Sequence, residues 1–174
     1  MLLSIAAALW FLLPADYPST HTLQEAIRWV APRHVPARRY ARIIRSEAKR
    51  KDIDPFMVVA FIHVETARKW NPRLKSPTND FGLTQVHVAV KGSARFLGRE
   101  EELYNPRTNI REWCRLAAMW RDYHNRACYE KHPWHSHLKW GYRVKDTEHA
   151  DKVLGVYQSL VQRFPPPIVG GGDA

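Results

Sequence analysis

Between Asp54 and Val64 the chain reads DPFMVVAFIHV, and this stretch limits the fold more than any other. Asp54 is a good helix N-cap and Pro55 suits the first helical position. From Phe56 to Val64 almost every residue is apolar, so the predicted helix has no face for water and belongs at the centre of a domain. It closes on one acid, Glu65. Val58, Phe61 and Ile62 precede that acid by seven, four and three positions and share its face. Burial disfavours the charged form of a carboxyl and keeps a proton available near neutral pH. A glycosidic bond needs such a proton on its leaving oxygen. The plainer reading is a half-solvated acid at a helix end, paired to Arg68 or Lys69.

The rest of the chain supplies what such a helix needs around it. Its 174 residues suffice for one domain with a substantial core. Residues 20–30 read as a helix with Thr22 as cap and Glu25 three residues on. Residues 37–51 read as a second helix, with Tyr40, Ile43, Ile44 and Ala48 inward and a basic outer face. Residues 88–97 form a helix or turn. Asn109 caps a helix over 110–125 whose inner stripe is Trp113, Leu116, Ala117 and Trp120. Thr147 caps a last helix carrying Val153, Leu154, Tyr157, Leu160, Val161 and Phe164. No segment alternates like a strand, so the fold class is mainly α, with room for a short β-ribbon in the loop over 71–84.

The ends read differently. The apolar run Leu2–Leu13 is too short to span a bilayer and fits the core of a secretory signal. Residues 1–15 are therefore expected to be a signal peptide or N-terminal anchor, residues 16–164 the domain, and residues 165–174 a flexible Pro/Gly tail. The expected location is the periplasm or cell envelope.

Four ordered motifs follow the central helix: Glu65-Thr66, Asn71-Pro72, Ser76-Pro77 and Gly82-Leu83-Thr84-Gln85-Val86. Ile43-Ile44, Ala48 and Ile53-Asp54-Pro55 precede them. Over Tyr40 to Val90 the chain resembles the SLT-type lytic transglycosylases, relatives of goose-type lysozyme. That family shows Glu-Ser, Asn-Pro, Ser-Pro and Gly-Leu-Met-Gln in the same order. The resemblance implies a lysozyme-like single domain acting on peptidoglycan glycan strands, between N-acetylmuramic acid and N-acetylglucosamine. It implies Glu65 as acid and then base, closure of a 1,6-anhydro ring, and no metal or cofactor. Ser76 and Gln85 would bind substrate, with Gly82 allowing close backbone approach. Thr66, Phe81 and His87 would line the same groove. Thr66 stands where Ser is usual, and Thr84 and His87 replace methionine-type positions. The family's later Ala-Tyr-Asn-x-Gly motif is not recognisable; Trp140 or Tyr142, in Trp140-Gly141-Tyr142, would supply its aromatic. The expected protein is a monomer, and a secretion, conjugation or phage apparatus that opens the wall locally fits as a partner.

Two rival functions stay open at this stage. A goose-type lysozyme would hydrolyse the same bond with Asp80 as second carboxylate, the two acids spaced about 6.5–9.5 Å apart. Thr78-Asn79-Asp80 is also ordinary turn chemistry. A non-catalytic peptidoglycan- or nucleic-acid-binding helical domain would explain the net charge of +10 and the seven Trp. Yet the cations are spread over the chain and no DNA-reading motif stands out, so no nucleic-acid partner is expected. His132, His135 and His137 fit no zinc template. His63 and Glu65 are spaced as in zinc deaminases, but the required Pro-Cys-x-x-Cys is missing. On one continuous helix Cys114 and Cys128 would lie about 21 Å apart, so both are expected unbridged.

Overall fold

The computed structural model describes residues 17–89, 93–128 and 147–165. Within them lie α1 (Thr20–Val30), α2 (Ala37–Lys49), α3 (Pro55–Glu65), β1 (Asp80–Phe81), β2 (Val86–His87), α4 (Pro106–Cys128) and α5 (Thr147–Arg163). Short 3₁₀ turns at Ala94–Phe96 and Glu100–Tyr104 join the ribbon to α4. The described residues form a mainly α architecture with one small antiparallel ribbon, consistent with the expected lysozyme-like domain. The ribbon reaches further than the 71–84 loop, pairing Asp80 with His87 and Phe81 with Val86.

α3 is the central rod. Every residue from Pro55 to His63 is buried, and α1, α2 and α5 pack against it. α4 lies on α2 and reaches α3 through Trp113, whose ring sits 4.6 Å from that of Phe61. Asp54 starts α3 by accepting from the Phe56 N–H at 2.8 Å. The stripes expected on α4 and α5 face inward: Trp113, Leu116, Ala117, Val153 and Leu160 are buried, while Trp120, Leu154, Tyr157, Val161 and Phe164 pack at its margin.

Two caps fall one turn before the expected residue. Ser19, not Thr22, caps α1, accepting from the Thr22 N–H at 3.0 Å. Asn105, not Asn109, starts α4, accepting from the N–H groups of Arg107 and Thr108. Pro106 then takes the first helical position, so Asn109 lies inside the helix and is fully buried.

Two buried acids fasten the outer elements. Glu47 on α2 is 1% exposed and is gripped by Arg50, Arg107 and Arg111, tying α4 to α2. Glu112 on α4 accepts from Ser93, Arg95 and Arg115, pinning the first 3₁₀ turn. Cys114 is free and buried, and burial pushes its thiol up to about 12. It shares one continuous helix with Cys128, which keeps the two apart as expected. Among the described residues no helix is long and apolar enough to cross a membrane. Residues 1–15, expected to be a signal peptide or anchor, and nearly all of the expected tail lie outside the described residues.

Candidate active site

Glu65 ends α3 with its side chain 14% exposed, over the apolar face made by Val58, Phe61 and Ile62. The Nε2 atom of His149 lies 2.9 Å from Glu65 Oε1. His149 stands in the first turn of α5, so the acid is held between two helices. α5 grips the other end of α3 as well: Tyr157 donates its hydroxyl to Asp54 Oδ2 at 2.8 Å. Burial pushes the Asp54 carboxyl above its ordinary range, and the Tyr157 and Phe56 hydrogen bonds pull it back. The helix that carries the acid is thus fixed at both ends by one partner.

Beyond Glu65 the chain turns sharply. Ala67, Arg68 and Trp70 all have positive φ, at 46°, 68° and 54°. Thr66 holds this turn. Its hydroxyl donates to the Ile62 carbonyl at 2.7 Å and accepts from the Trp70 N–H at 3.0 Å. Thr66 is fully buried, so it faces the interior where the sequence placed it on the groove. Trp70 is buried against Tyr40, ring centroids 6.0 Å apart.

The loop that follows is built around Asp80. Its carboxylate accepts from the Ser76 and Thr78 hydroxyls, both at 2.5 Å, and lies 2.8 Å from His87 Nδ1. Ser76 Oγ in turn accepts from the N–H groups of Thr78 and Asp80. This is the side-chain-to-backbone turn chemistry of Ser and Asp. It brings Ser76, Asp80 and His87 into one polar cluster at the base of the ribbon.

Gly82, Thr84, Gln85 and Asn109 form the second cluster. Gly82 has φ +76°, and a Cβ there would lie 2.4 Å from the Leu103 carbonyl oxygen and 2.5 Å from Asn109 Nδ2. The close approach that requires glycine is therefore to Leu103 and Asn109. Asn109 accepts from the Thr84 N–H at 2.8 Å and the Thr84 hydroxyl at 2.9 Å. It also donates to the Phe81 carbonyl at 2.8 Å. Gln85 Nε2 donates to the Gly82 carbonyl at 2.8 Å. Phe81 is buried, its ring 6.0 Å from that of Tyr104. Thr84, in the family's methionine-type position, is the link through which α4 holds the loop.

His149 and Asn109 are the residues that sequence reasoning missed as site elements. Asn109 carried a signal, an Asn before an amphipathic helix, but it was read as a cap. Trp140, Tyr142 and the histidines at 132, 135 and 137 lie outside the described residues. Among the described residues no group of His, Cys, Asp and Glu gathers to hold a metal ion.

Comparison with known proteins bears on this arrangement. Residues 42–112 match the family model of the transglycosylase SLT domain, which covers α3, the ribbon loop and the first turns of α4. The chain is also 35% identical, over 105 residues, to the membrane-bound lytic murein transglycosylase C of Actinobacillus pleuropneumoniae serotype 5b (strain L20). The same figures hold for that protein in serotype 3 (strain JL03) and serotype 7 (strain AP76). The match takes in 56% of this chain but only 28% of each of those relatives. No solved structure matches the chain.

Proposed function

We propose that this protein, whose residues 42–112 match the family model of the transglycosylase SLT domain, is a peptidoglycan lytic transglycosylase of the cell envelope. Its relatives carry that activity in their names, as membrane-bound murein enzymes. The observation that carries the reading is the setting of Glu65: one carboxyl on an apolar helix face, held by an imidazole at 2.9 Å. Glu65 gives its proton to the glycosidic oxygen as the bond to the muramic anomeric carbon breaks. It then takes the proton of the muramic 6-hydroxyl as that oxygen bonds to the same carbon. No water enters, so one acid serves both steps. The substrate's own acetamido group can steady the cationic ring. His149 is a positioning residue here, fixing the rotamer of the carboxyl.

A hydrolase would need Asp80 as a second acid, and that reading is not favoured. Asp80 is committed to Ser76 and Thr78 within its own turn and to His87 across the ribbon. The same bonds support Ser76 and Asp80 as builders of the groove wall, with Gln85 and Gly82 shaping the adjoining loop. Digestion of purified sacculi tests the whole reading by mass spectrometry. Anhydro products, one water lighter than hydrolysed ones, are expected from the wild type and from Asp80→Asn. Glu65→Gln should lower turnover by about 10² or more. Reducing-end products that vanish in Asp80→Asn would make the protein a hydrolase, and unimpaired turnover in Glu65→Gln would remove that residue from the mechanism.

A further inference from the structure

The outer face of α2 carries a run of cations that the proposed reaction does not use. Arg38, Arg39 and Arg42 are exposed there, and Arg33 joins them from the turn before the helix. Arg45 and Lys49 continue the run. None of these six has a carboxylate partner among the described residues, whereas Arg50, Arg107 and Arg111 are spent on Glu47. Like charges so close together repel one another. Here the one carboxylate along the run is Glu47, buried and already saturated.

The run is also concave. A groove between α1 and α2 is lined by Arg33, Arg38, Arg39 and Arg42 around an apolar floor that includes Val35 and Ile43. A second hollow, shared through Arg42, extends it past Arg45 to Lys49 and Arg50. A third, shared through Arg50, continues it towards α4. None of them is lined by Glu65, His149, Ser76, Gln85 or His87. The track is therefore separate from the acid and its loop.

We propose that this track is an exosite for the carboxylate-bearing stem peptides of peptidoglycan, holding the wall polymer while Glu65 works elsewhere along it. This rests on the proposed activity for the identity of the polymer. Three features select the ligand. Guanidinium groups bind carboxylates through paired, parallel hydrogen bonds, and unpaired arginines at a rim are ready to do so. A chain of hollows fits a strand better than a flat bilayer. An apolar floor under a basic rim suits a peptide with small apolar side chains and acidic ends, and the floor offers Val35 and Ile43 rather than an aromatic face on which a nucleic-acid base would stack. The benefit is retention: many weak contacts on one polymer raise the local concentration of cleavable bonds.

The test uses the full chain carrying Glu65→Gln, so that binding is read without digestion. Co-sedimentation with purified sacculi should be weakened about tenfold or more in Arg38→Gln/Arg39→Gln/Arg42→Gln, and the parent's binding should fall steeply with salt. These side chains are exposed, so the fold is expected to stand, and circular dichroism confirms it. A charge-matched control, Arg99→Gln/Lys152→Gln/Arg163→Gln, should bind as the parent does. Sacculi whose carboxyl groups have been amidated should lose the arginine-dependent part of the binding. Equal binding by the triple variant overturns the proposal, as does undiminished arginine-dependent binding to amidated sacculi. Arginine-dependent binding to anionic vesicles or DNA, without binding to sacculi, would reassign the track to another partner. All these outcomes are read whether or not the wild type cleaves, so failure of the exosite and failure of the proposed activity are distinguishable.

Discussion

Replacing Gly82 by alanine separates what the loop owes to backbone conformation from what it owes to close packing. At φ +76° any L side chain is strained, by about 1–2 kcal/mol. The new Cβ would also lie 2.4 Å from the Leu103 carbonyl oxygen, 2.5 Å from Asn109 Nδ2 and 2.8 Å from Asn109 Cγ. The nearest of these atoms is backbone, and the Asn109 amide is fixed by three hydrogen bonds, so neither neighbour yields cheaply. Overpacking of this kind adds about 1–3 kcal/mol. The sum is about 2–5 kcal/mol, a large share of the roughly 5–15 kcal/mol that holds a domain folded. Gly98 supplies the control. Its φ is +75°, but a Cβ there would meet no atom within 4 Å. Gly98→Ala should therefore cost only the conformational part, about 1–2 kcal/mol. Urea unfolding of both variants, followed by circular dichroism, measures the difference directly. A midpoint lowered by about 1–3 M in Gly82→Ala, with a smaller shift in Gly98→Ala, is expected. Equal shifts in the two would refute the packing argument and return Gly82 to the substrate-facing role that the family resemblance implies.

Three further outcomes follow from the same geometry. His149→Ala should lower kcat on sacculi with little change in KM, because the carboxyl loses the contact that fixes its position while the substrate-facing loop is untouched; kcat and KM falling together with stability would leave His149 a purely structural role. His63 is buried with Nδ1 unpartnered, and desolvation holds its imidazole below the ordinary 6.5, with Arg68 adding to the effect. The unfolded chain therefore binds the proton first as pH falls, so stability present above pH 6.5 is lost on acidification through the folded value. Thermal melts at pH 8 and pH 5 should show this loss in the wild type and a smaller one in His63→Leu. Cys114, its thiol pushed up to about 12, should resist a thiol reagent in native Cys128→Ser protein and react only after unfolding.

The central helix was legible because its signals are local. Asp54, Pro55 and an unbroken apolar run leave one arrangement open, and Glu65 falls where that arrangement ends. The Asp80 turn was legible for the same reason, since Ser76, Thr78 and Asp80 bond within five consecutive residues. Asn109 was misread because Asn before an amphipathic stretch is ambiguous. The competing Asn105-Pro106 pair takes the cap, which frees Asn109 for bonds to Phe81 and Thr84 across 28 and 25 residues. Thr66 was set on the groove by motif order alone, and motif order does not say which way a hydroxyl points. His149 had no local signature at all. Its partner lies 84 residues away, and one histidine on a helix of mixed polarity gives no hint of such a contact.

The grip of α5 on both ends of α3 has a consequence for when the acid comes into being. The two helices meet through contacts 84 and 103 residues apart in the chain, so they close the longest loops described above. Contacts of that span form late, after the local helices have paid for their own order. A ribosome delivers α3 long before α5, and domains assemble from the N-terminal side as they emerge. Until the later helix docks, Glu65 has no imidazole beside it and the buried rod lacks one wall. On the proposed function, the nascent chain would lack a positioned acid until that docking, and competence would arrive with it.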